Sequence, residues 1–243
     1  MIEDMSSPIR RTPTHQVTIR AVRELTPRMR RITLGGTTLV GLRTQPAQDV
    51  ELVLTEESGR RVKRRYTIRD ARPEIGEIDI DALLHGHGPG SAWASTVAAG
   101  DAAVVLGPRG KLELRPADWH LFVGDESALP AFAAIIEALP DAEAAFALIE
   151  VAGPTDEVPL QRDGQLELRW IHRGGVPAGT PGLIASTLAV VRLPPGSGRA
   201  YLLGESRAVV ALRPHVNQLG IADEQIFLKG YWNLGRAGRA IPG

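Results

Sequence analysis

The pattern of apolar segments changes once along this chain of 243 residues, and that change limits the folds open to it. Before about residue 115, short apolar runs are broken by Gly, Pro and Asp, which is typical of an antiparallel barrel or sandwich. From His120 onward, strand-like and helix-like segments alternate, which predicts a parallel, doubly wound sheet. The sequence therefore predicts an N-terminal antiparallel β-barrel domain over residues 1–116 and an α/β domain over residues 117–243.

Apolar periodicity divides each half into elements. The predicted barrel strands are His15–Glu24, Met29–Gly35, Val50–Thr55, Arg65–Asp70, Glu77–Leu84 and Ala102–Gly107. The predicted strands of the α/β half are Leu121–Val123, Ala145–Val151, Leu166–Ile171, Tyr201–Leu203 and Gln225–Leu228. Helices are predicted at Ser91–Ala99, Leu129–Leu139, Gly182–Val191 and Arg207–Gln218.

Composition excludes several classes of function. The chain has no cysteine, which excludes disulfides, thiol catalysis, iron–sulfur clusters and thiolate zinc sites. Its 28 basic and 28 acidic residues balance, which argues against a nucleic-acid partner. Residues 1–72 nevertheless hold 15 Lys/Arg against 8 Asp/Glu, which either attracts an anionic cofactor or substrate or merely reflects an arginine-rich composition. With no apolar run near the ~20 residues of a membrane span and no secretory signal, we expect a cytoplasmic protein.

The segment Arg64–Arg69, Arg-Arg-Tyr-Thr-Ile-Arg, follows a strand-like apolar run. Because side chains alternate along a strand, we expect Arg64 and Tyr66 on one side and Thr67 on the other. A guanidinium suits a diphosphate, and a tyrosine ring stacks on a flat heteroaromatic ring such as a flavin. The segment alone is equally consistent with an edge strand whose arginines point into water.

A glycine-rich segment, His85–Ala94, precedes a predicted helix. Glycines allow a backbone to approach a ligand closely, and Ser91 stands where an N-cap residue is expected. A helix N-terminus is suited to an anion such as a diphosphate, although any tight strand-to-helix turn uses the same residue types. No metal is predicted at His85 and His87, because the segment lacks further ligands.

Two strand-end loops of the α/β half lie where nucleotides usually dock. Gly124–Ala128 follows the first strand, and its Asp125 and Glu126 would repel a diphosphate placed directly against them. Ser127 is predicted to cap the helix that comes next. Gly204–Ser206 follows the fourth strand and opens a helix in the same way.

Two further features lie at strand ends. Arg173 closes the third strand of the α/β half, where it is placed either to meet a ribose phosphate or to lie in solvent. Tyr231 and Trp232 come after the final predicted strand. Aromatic rings there are suited to covering a flat cofactor or to filling the domain interface.

Taken in order, these segments resemble the siderophore-interacting protein family of flavin-dependent ferric-siderophore reductases, relatives of the ferredoxin–NADP reductases. The resemblance runs through nearly the whole chain, and Gly124–Ala131 is its most specific part. Departures are small, with Gly90 where the family usually has Ala and Ser127 where it often has Thr. The matching segments are Leu25–Gly36, Arg64–Arg69, His85–Gly86, Gly88–Ala94, Gly100–Asp101, Gly107–Gly110, Gly124–Ala131, Gly204–Glu205 and Gly230–Trp232.

The resemblance implies FAD as the cofactor and NADPH or NADH as the reductant. It implies that Arg64 holds the FAD diphosphate, Tyr66 packs on the isoalloxazine and Thr67 hydrogen-bonds near flavin N5. Arg173 becomes the candidate for a preference for NADPH. The cofactor-binding residues implied are Arg64, Tyr66, Thr67, Ile68, His85, Gly88, Gly90, Ser91, Ala92, Asp125, Glu126, Ser127, Ala128, Arg173, Gly204, Glu205, Ser206, Tyr231 and Trp232.

The implied reaction passes electrons from NAD(P)H through FAD to ferric iron held by a siderophore. The flavin carries the chemistry, so no catalytic side chain or protein metal ligand is required. The ferrous product is released because it binds hard oxygen ligands more weakly. We expect a monomer with a ferric-siderophore substrate, and a ferredoxin is a further candidate donor. Two alternatives stay open: a reductase of ferredoxin, flavodoxin or free flavin, and a siderophore-binding protein without redox activity.

Overall fold

The N-terminal half of the chain is a closed antiparallel barrel with strand order β1-β2-β5-β4-β3-β6. The computed structural model describes residues 12–56, 58–86, 88–110 and 112–235. The barrel strands are β1 (Thr14–Thr26), β2 (Met29–Gly35), β3 (Asp49–Thr55), β4 (Arg61–Arg72), β5 (Glu77–Leu83) and β6 (Ala102–Arg109). The predicted barrel is confirmed, and each predicted strand overlaps one of these six.

Alternating apolar residues form the core of the barrel. On β3, Val50, Leu52 and Leu54 are all buried in it. Helix α1 (Gly88–Thr96) connects β5 to β6 and contributes the fully buried Ala94 to the same core. At nine residues α1 is too short to be stable alone, so packing against the barrel holds it in place.

The C-terminal half is a five-stranded parallel sheet with strand order β11-β10-β7-β8-β9. Its strands are β7 (Trp119–Asp125), β8 (Ala144–Val151), β9 (Leu166–His172), β10 (Gly198–Glu205) and β11 (Ile226–Trp232). Its helices are α2 (Leu129–Ala138), α3 (Gly182–Leu188) and α4 (Ser206–Asn217). Every residue of β7 is buried, because α2 lies in one apolar core and α3 and α4 lie in the other. Strands β8 and β9 follow on one side of β7, and β10 and β11 lie on its other side, so the strand order reverses between β7 and β10. Sheets of this kind bind ligands in the crevice at that point.

Ion pairs connect the two halves. Arg69 of β4 donates to both carboxylate oxygens of Glu137 on α2, at 2.7 and 2.5 Å. Lys229 of β11 lies 2.9 Å from Asp49 of β3. Helix α2 also packs along β4. The strand that carries the predicted flavin motif is therefore fixed against the α/β half.

Two predicted element boundaries are wrong. Helix α1 begins at Gly88, so Ser91 lies within its first turn and is not the N-cap. Tyr231 and Trp232 belong to β11 instead of following it.

The proposed domain boundary between residues 116 and 117 falls between β6 and β7 and stays a prediction. His87 lies outside the described residues. No helix in the described part of the chain is both long and apolar enough to cross a membrane.

Candidate functional site

The predicted flavin motif on β4 packs directly against α1. A Cβ atom added at Gly90 would come 2.8 Å from the Tyr66 hydroxyl and 3.3 Å from Arg64 Cγ. Arg64 and Tyr66 therefore share one side of the strand, as the alternation predicted. A side chain at position 90 would therefore press on the Tyr66 hydroxyl. The Tyr66 ring lies 6.0 Å from the ring of Trp93, and burial raises the pKa of the Tyr66 phenol.

Ser91 organises the glycine-rich loop from inside the helix. Its hydroxyl accepts hydrogen bonds from the backbone N–H groups of His85, at 3.0 Å, and Gly86, at 3.2 Å. Gly88 has a φ of +78°, which only glycine adopts without strain, and this turn starts the helix. The loop therefore places the first turn of α1 beside Arg64, and Ala92 is exposed on that helix.

Thr67 faces the other half of the protein. It pairs in register with Asp49, whose carboxylate binds Lys229 of β11. Burial raises the pKa of the Tyr231 phenol on β11 to about 12, and the nearby Thr67 side chain opposes this rise. Lys229 lies 5.0 Å from the centre of the Tyr231 ring, within the range of a cation–π contact. The residue predicted beside flavin N5 and an aromatic residue predicted to cover the cofactor are thus brought together. Ile68, also predicted at the site, has its side chain in the barrel core.

A cavity of about 290 Å³ opens at this junction of the two halves. Three cationic side chains line it, and two carboxylates pair with them: Lys229 with Asp49 at 2.9 Å, and Arg109 with Glu51 at 2.7 Å. Arg65 lies 3.4 Å from the same Glu51. We call this the seam pocket; its lining residues are Ala47, Asp49, Arg65, Arg109, Gly110, Leu112, Phe227, Lys229 and Tyr231.

Asp125 joins the ends of three strands in the α/β half. Its carboxylate accepts hydrogen bonds from the Ser127 N–H, the Glu205 N–H and the Trp232 indole N–H, each at 2.9 Å. The Ser127 hydroxyl is bonded to it as well. Asp125 thus caps the 3₁₀ turn Glu126–Ala128, and α2, which starts at Leu129, has no side-chain cap, so the prediction that Ser127 caps this helix is wrong. Burial raises the pKa of the Asp125 carboxyl, and Gly204 leaves room for it, since a Cβ there would come 2.6 Å from Asp125 Oδ2.

Glu205 caps helix α4, a role that the sequence did not reveal. Its carboxylate accepts from the backbone N–H groups of Arg207 at 2.7 Å, Ala208 at 2.8 Å and Leu234 at 3.0 Å. Burial alone would raise the pKa of Glu205, but these donors outweigh it and lower the pKa. Next to it, the Ser206 hydroxyl donates to the Trp232 carbonyl at 2.9 Å. The predicted loop residues do meet at one edge, although Ala128 packs in the core beneath them.

Arg173 lies inside the protein and does not face solvent. It is only 6% exposed, and its two terminal nitrogens donate to Glu126 at 2.6 and 2.5 Å. One of them also donates to Glu150 at 3.3 Å. Arg28 of the barrel reaches the same Glu126 at 2.7 Å and Asp156 at 3.2 Å. The strand-end arginine expected to be open to a ribose phosphate is thus already engaged by buried carboxylates.

Glu150 should make stability depend on pH. Burial raises its pKa to about 7 from an ordinary value near 4.5, although Arg173 opposes the shift. The folded state therefore holds a proton that the unfolded state releases, so this contribution is present below pH 4.5 and is lost as pH rises through 7. Relative to Glu150→Gln, the wild type should lose on the order of 1–3 kcal/mol between pH 5 and 8 in urea unfolding. A difference between the two proteins that does not change with pH would contradict this assignment.

Comparisons with known proteins match both halves of the chain. The siderophore-interacting protein family matches residues 117–235, and the siderophore-interacting FAD-binding domain family matches residues 47–112. An uncharacterized protein of Mycobacterium tuberculosis is 35% identical over 92% of each chain. The ferric vibriobactin reductase ViuB of Vibrio cholerae is 32% identical over 81% of this chain and 73% of its own.

Solved structures match over nearly the whole length. A siderophore utilization protein from T. fusca has a TM-score of 0.85 and 32% identity, over 93% of this chain and 95% of its own. A ferredoxin NADP⁺ reductase from Neisseria gonorrhoeae, at 17% identity and a TM-score of 0.71, shares the fold over 91% of this chain and 100% of its own. The chain therefore belongs to the siderophore-interacting protein family of flavin-dependent oxidoreductases, which has the ferredoxin reductase-like fold.

Proposed function

We propose that this protein is an FAD-dependent reductase that uses NAD(P)H to reduce ferric iron in siderophore complexes and releases ferrous iron in the cytoplasm. One observation carries the proposal: the flavin-motif strand meets β11 beside a cationic pocket, where Lys229 binds Asp49, the register partner of Thr67. A flavin held at this junction by Arg64 and Tyr66 would lie within reach of both the α/β half and a substrate in the seam pocket.

The residues of the barrel suit FAD. Arg64 supplies a permanent positive charge beside the first turn of α1, and both features stabilise a diphosphate. Tyr66 supplies an aromatic face on the same side of β4. FAD, when bound, accepts two electrons from a nicotinamide and passes them on one at a time. The chain's own residues then have to orient the flavin and hold the acceptor.

The seam pocket suits an anionic acceptor. Lys63 lies 3.8 Å from Glu51, so Glu51 is surrounded by the cations of Lys63, Arg65 and Arg109. With Lys229 and Asp49 the group carries four positive and two negative formal charges. A positive surplus attracts ferric complexes whose ligands are deprotonated oxygens, and the attraction weakens as salt screens it.

The test uses purified, FAD-loaded protein with a nicotinamide reductant and a chromogenic ferrous chelator under anaerobic conditions. Ferric hydroxamate and catecholate complexes should yield ferrous iron in a protein-dependent reaction. Ferredoxin, flavodoxin and free flavin are compared as acceptors. Turnover with these acceptors and none with ferric complexes would contradict the proposal. A colourless protein that binds the ferric complex without flavin would identify a binding protein instead.

A charge variant tests the seam pocket. Arg109→Gln should raise the KM for an anionic ferric complex about three- to tenfold at low salt, and the effect should shrink at 0.5 M salt, where the Debye length falls to about 4 Å. Arg115→Gln is the matched control, because Arg115 is an exposed arginine that pairs only weakly with Glu113 at 3.4 Å. Equal effects of the two variants would exclude the seam pocket as the substrate site.

A further inference from the structure

The carboxyl edge of the parallel sheet contains an unusual number of buried acids. Five carboxylates there are at most 9% exposed; they are Asp125, Glu126, Glu150, Asp156 and Glu205. We call them the edge carboxylates. Glu126, Glu150 and Asp156 share two arginines, Arg28 and Arg173, whose guanidinium groups are engaged by them. The five carboxylates outnumber the two arginines, so the formal charge at this edge is negative, although burial raises the pKa of Asp125 and Glu150 and thereby favours their neutral forms.

At the same edge, backbone N–H groups that could bind a phosphate already donate to carboxylates of the protein. In nucleotide-binding sheets the backbone N–H groups at strand ends and helix starts are the usual anion ligands. Here Asp125 accepts from the N–H groups of Ser127 and Glu205, at the ends of β7 and β10. Glu205 accepts from those of Arg207 and Ala208, at the start of α4. The chain's own carboxylates thus occupy these donors.

The position of the flavin motif indicates in which direction a dinucleotide would lie across this edge. Thr67 lies beside β11, where Lys229 binds its register partner Asp49, so a nicotinamide that reaches the flavin would lie toward that side of the crevice between β7 and β10. The adenosine then extends the other way, over the ends of β8 and β9. At that end Glu157, which follows the 3₁₀ turn Pro154–Asp156 that comes after β8, is bonded to His172 of β9 at 2.7 Å. Glu157 is partly exposed, with 35% of its side chain accessible.

This arrangement favours NADH over NADPH. A carboxylate at the adenosine end accepts hydrogen bonds from ribose hydroxyls, whereas a 2′-phosphate needs an arginine. Arg173, the arginine at the end of β9, is committed to Glu126 and Glu150. A 2′-phosphate would add nearly two negative charges beside Glu157 and the edge carboxylates. A dinucleotide without that phosphate avoids the repulsion.

We infer that the reductant of this protein is NADH and that Glu157, with the edge carboxylates behind it, discriminates against NADPH. This inference rests on the proposed function, because it names the donor for the same flavin. Discrimination by an acidic residue at the ribose is a difference in affinity, so it appears in binding as well as in turnover.

The first measurement is binding without catalysis. The FAD-loaded protein is titrated calorimetrically with ADP-ribose and with 2′-phospho-ADP-ribose, and flavin bleaching is followed with NADH and NADPH. We expect at least tenfold tighter binding of the unphosphorylated ligand and at least tenfold faster bleaching by NADH. Equal or stronger binding of the 2′-phosphorylated ligand, or preferential bleaching by NADPH, would overturn the inference.

A pair of variants, one at the partly exposed Glu157 and one at the exposed Glu167, tests the role of Glu157. Glu157→Arg should improve binding of 2′-phospho-ADP-ribose relative to ADP-ribose by tenfold or more. Glu167→Arg is the matched control, because Glu167 lies near the opposite end of β9 and is 59% exposed. Its ion pair with Arg169 is long, at 3.6 Å. An unchanged ligand ratio in Glu157→Arg, or the same shift in Glu167→Arg, would remove Glu157 from the assignment.

Failure of this inference can be told apart from failure of the proposed function. Chemically reduced enzyme, prepared with dithionite and freed of excess reagent, is mixed with a ferric siderophore. If reduced enzyme converts the ferric complex but neither nucleotide bleaches the flavin, the donor inference is wrong and the reductase function stands. If reduced enzyme leaves the ferric complex unchanged, the proposed function is wrong as well.

Discussion

Replacing Arg173 with Ala should lower the free energy of unfolding by about 3–5 kcal/mol. The guanidinium is buried and donates to Glu126 and Glu150, which are 5% and 2% exposed. Without it, Glu126 retains Arg28, but Glu150 loses the one cationic partner that the structure records for it in the described residues. A buried carboxylate left without a partner costs far more than the ion pair contributes. Urea unfolding at pH 7.5 measures the loss.

Arg169→Ala is the matched control for this variant. Arg169 lies on β9, the strand that ends just before Arg173, but 45% of its side chain is exposed and its carboxylate partner, Glu167, is 3.6 Å away. We expect a loss below about 0.5 kcal/mol. The cost of Arg173→Ala should also fall at pH 5, because Glu150 then takes up a proton instead of remaining charged. Losses of similar size in the two variants would contradict the buried network.

The same variant separates two roles for Arg173. An arginine that reads a 2′-phosphate would lose NADPH binding when replaced and would leave stability almost unchanged. An arginine that neutralises Glu126 and Glu150 would reduce stability and leave the ratio of NADH to NADPH binding as it was. The sequence suggested the first role, and the hydrogen bonds of the structure favour the second.

The fold could be predicted because the apolar pattern of each strand is visible within its own short segment of sequence. Val50, Leu52 and Leu54 alternate as a barrel strand requires, and the apolar run at Leu121–Val123 is the centre of a strand buried on both faces. The ends were harder to place. Tyr231 and Trp232 read as residues after a strand, but pairing with β10 extends β11 through them. That pairing depends on a partner distant in sequence.

The candidate site was predicted in outline, and its errors come from contacts between residues that are distant in sequence. Several polar side chains near a helix start compete for the same N–H groups, and the sequence does not say which one is held in position. Ser127 was the expected cap of α2, but its hydroxyl binds Asp125, which the Glu205 N–H and the Trp232 indole hold in place at the preceding 3₁₀ turn. Arg173 looked solvent-facing because Glu126 lies 47 residues away in sequence.

Replacing Arg64 with Ala should weaken FAD binding by about 10- to 100-fold, which corresponds to the loss of one or two charge-assisted hydrogen bonds. Its Cγ lies beside Gly90 in the first turn of α1, so the charge and the helix N-terminus act on the same diphosphate. Titration of the apoprotein with FAD, followed by flavin fluorescence, measures the change. Arg61→Ala is the control, because Arg61 is an exposed arginine on the same strand.

Tyr66 should contribute to FAD binding in a different way from Arg64. The dependence of FAD affinity on salt should distinguish the two contributions. Tyr66→Ala removes an aromatic face and should cost about tenfold in affinity, whereas Tyr66→Phe keeps the ring and should bind nearly as the wild type. The loss in Arg64→Ala should shrink at high ionic strength because salt screens the attraction of its charge for the diphosphate. The loss in Tyr66→Ala should persist, because stacking does not depend on charge. A Tyr66→Ala protein with full FAD content would place the isoalloxazine elsewhere.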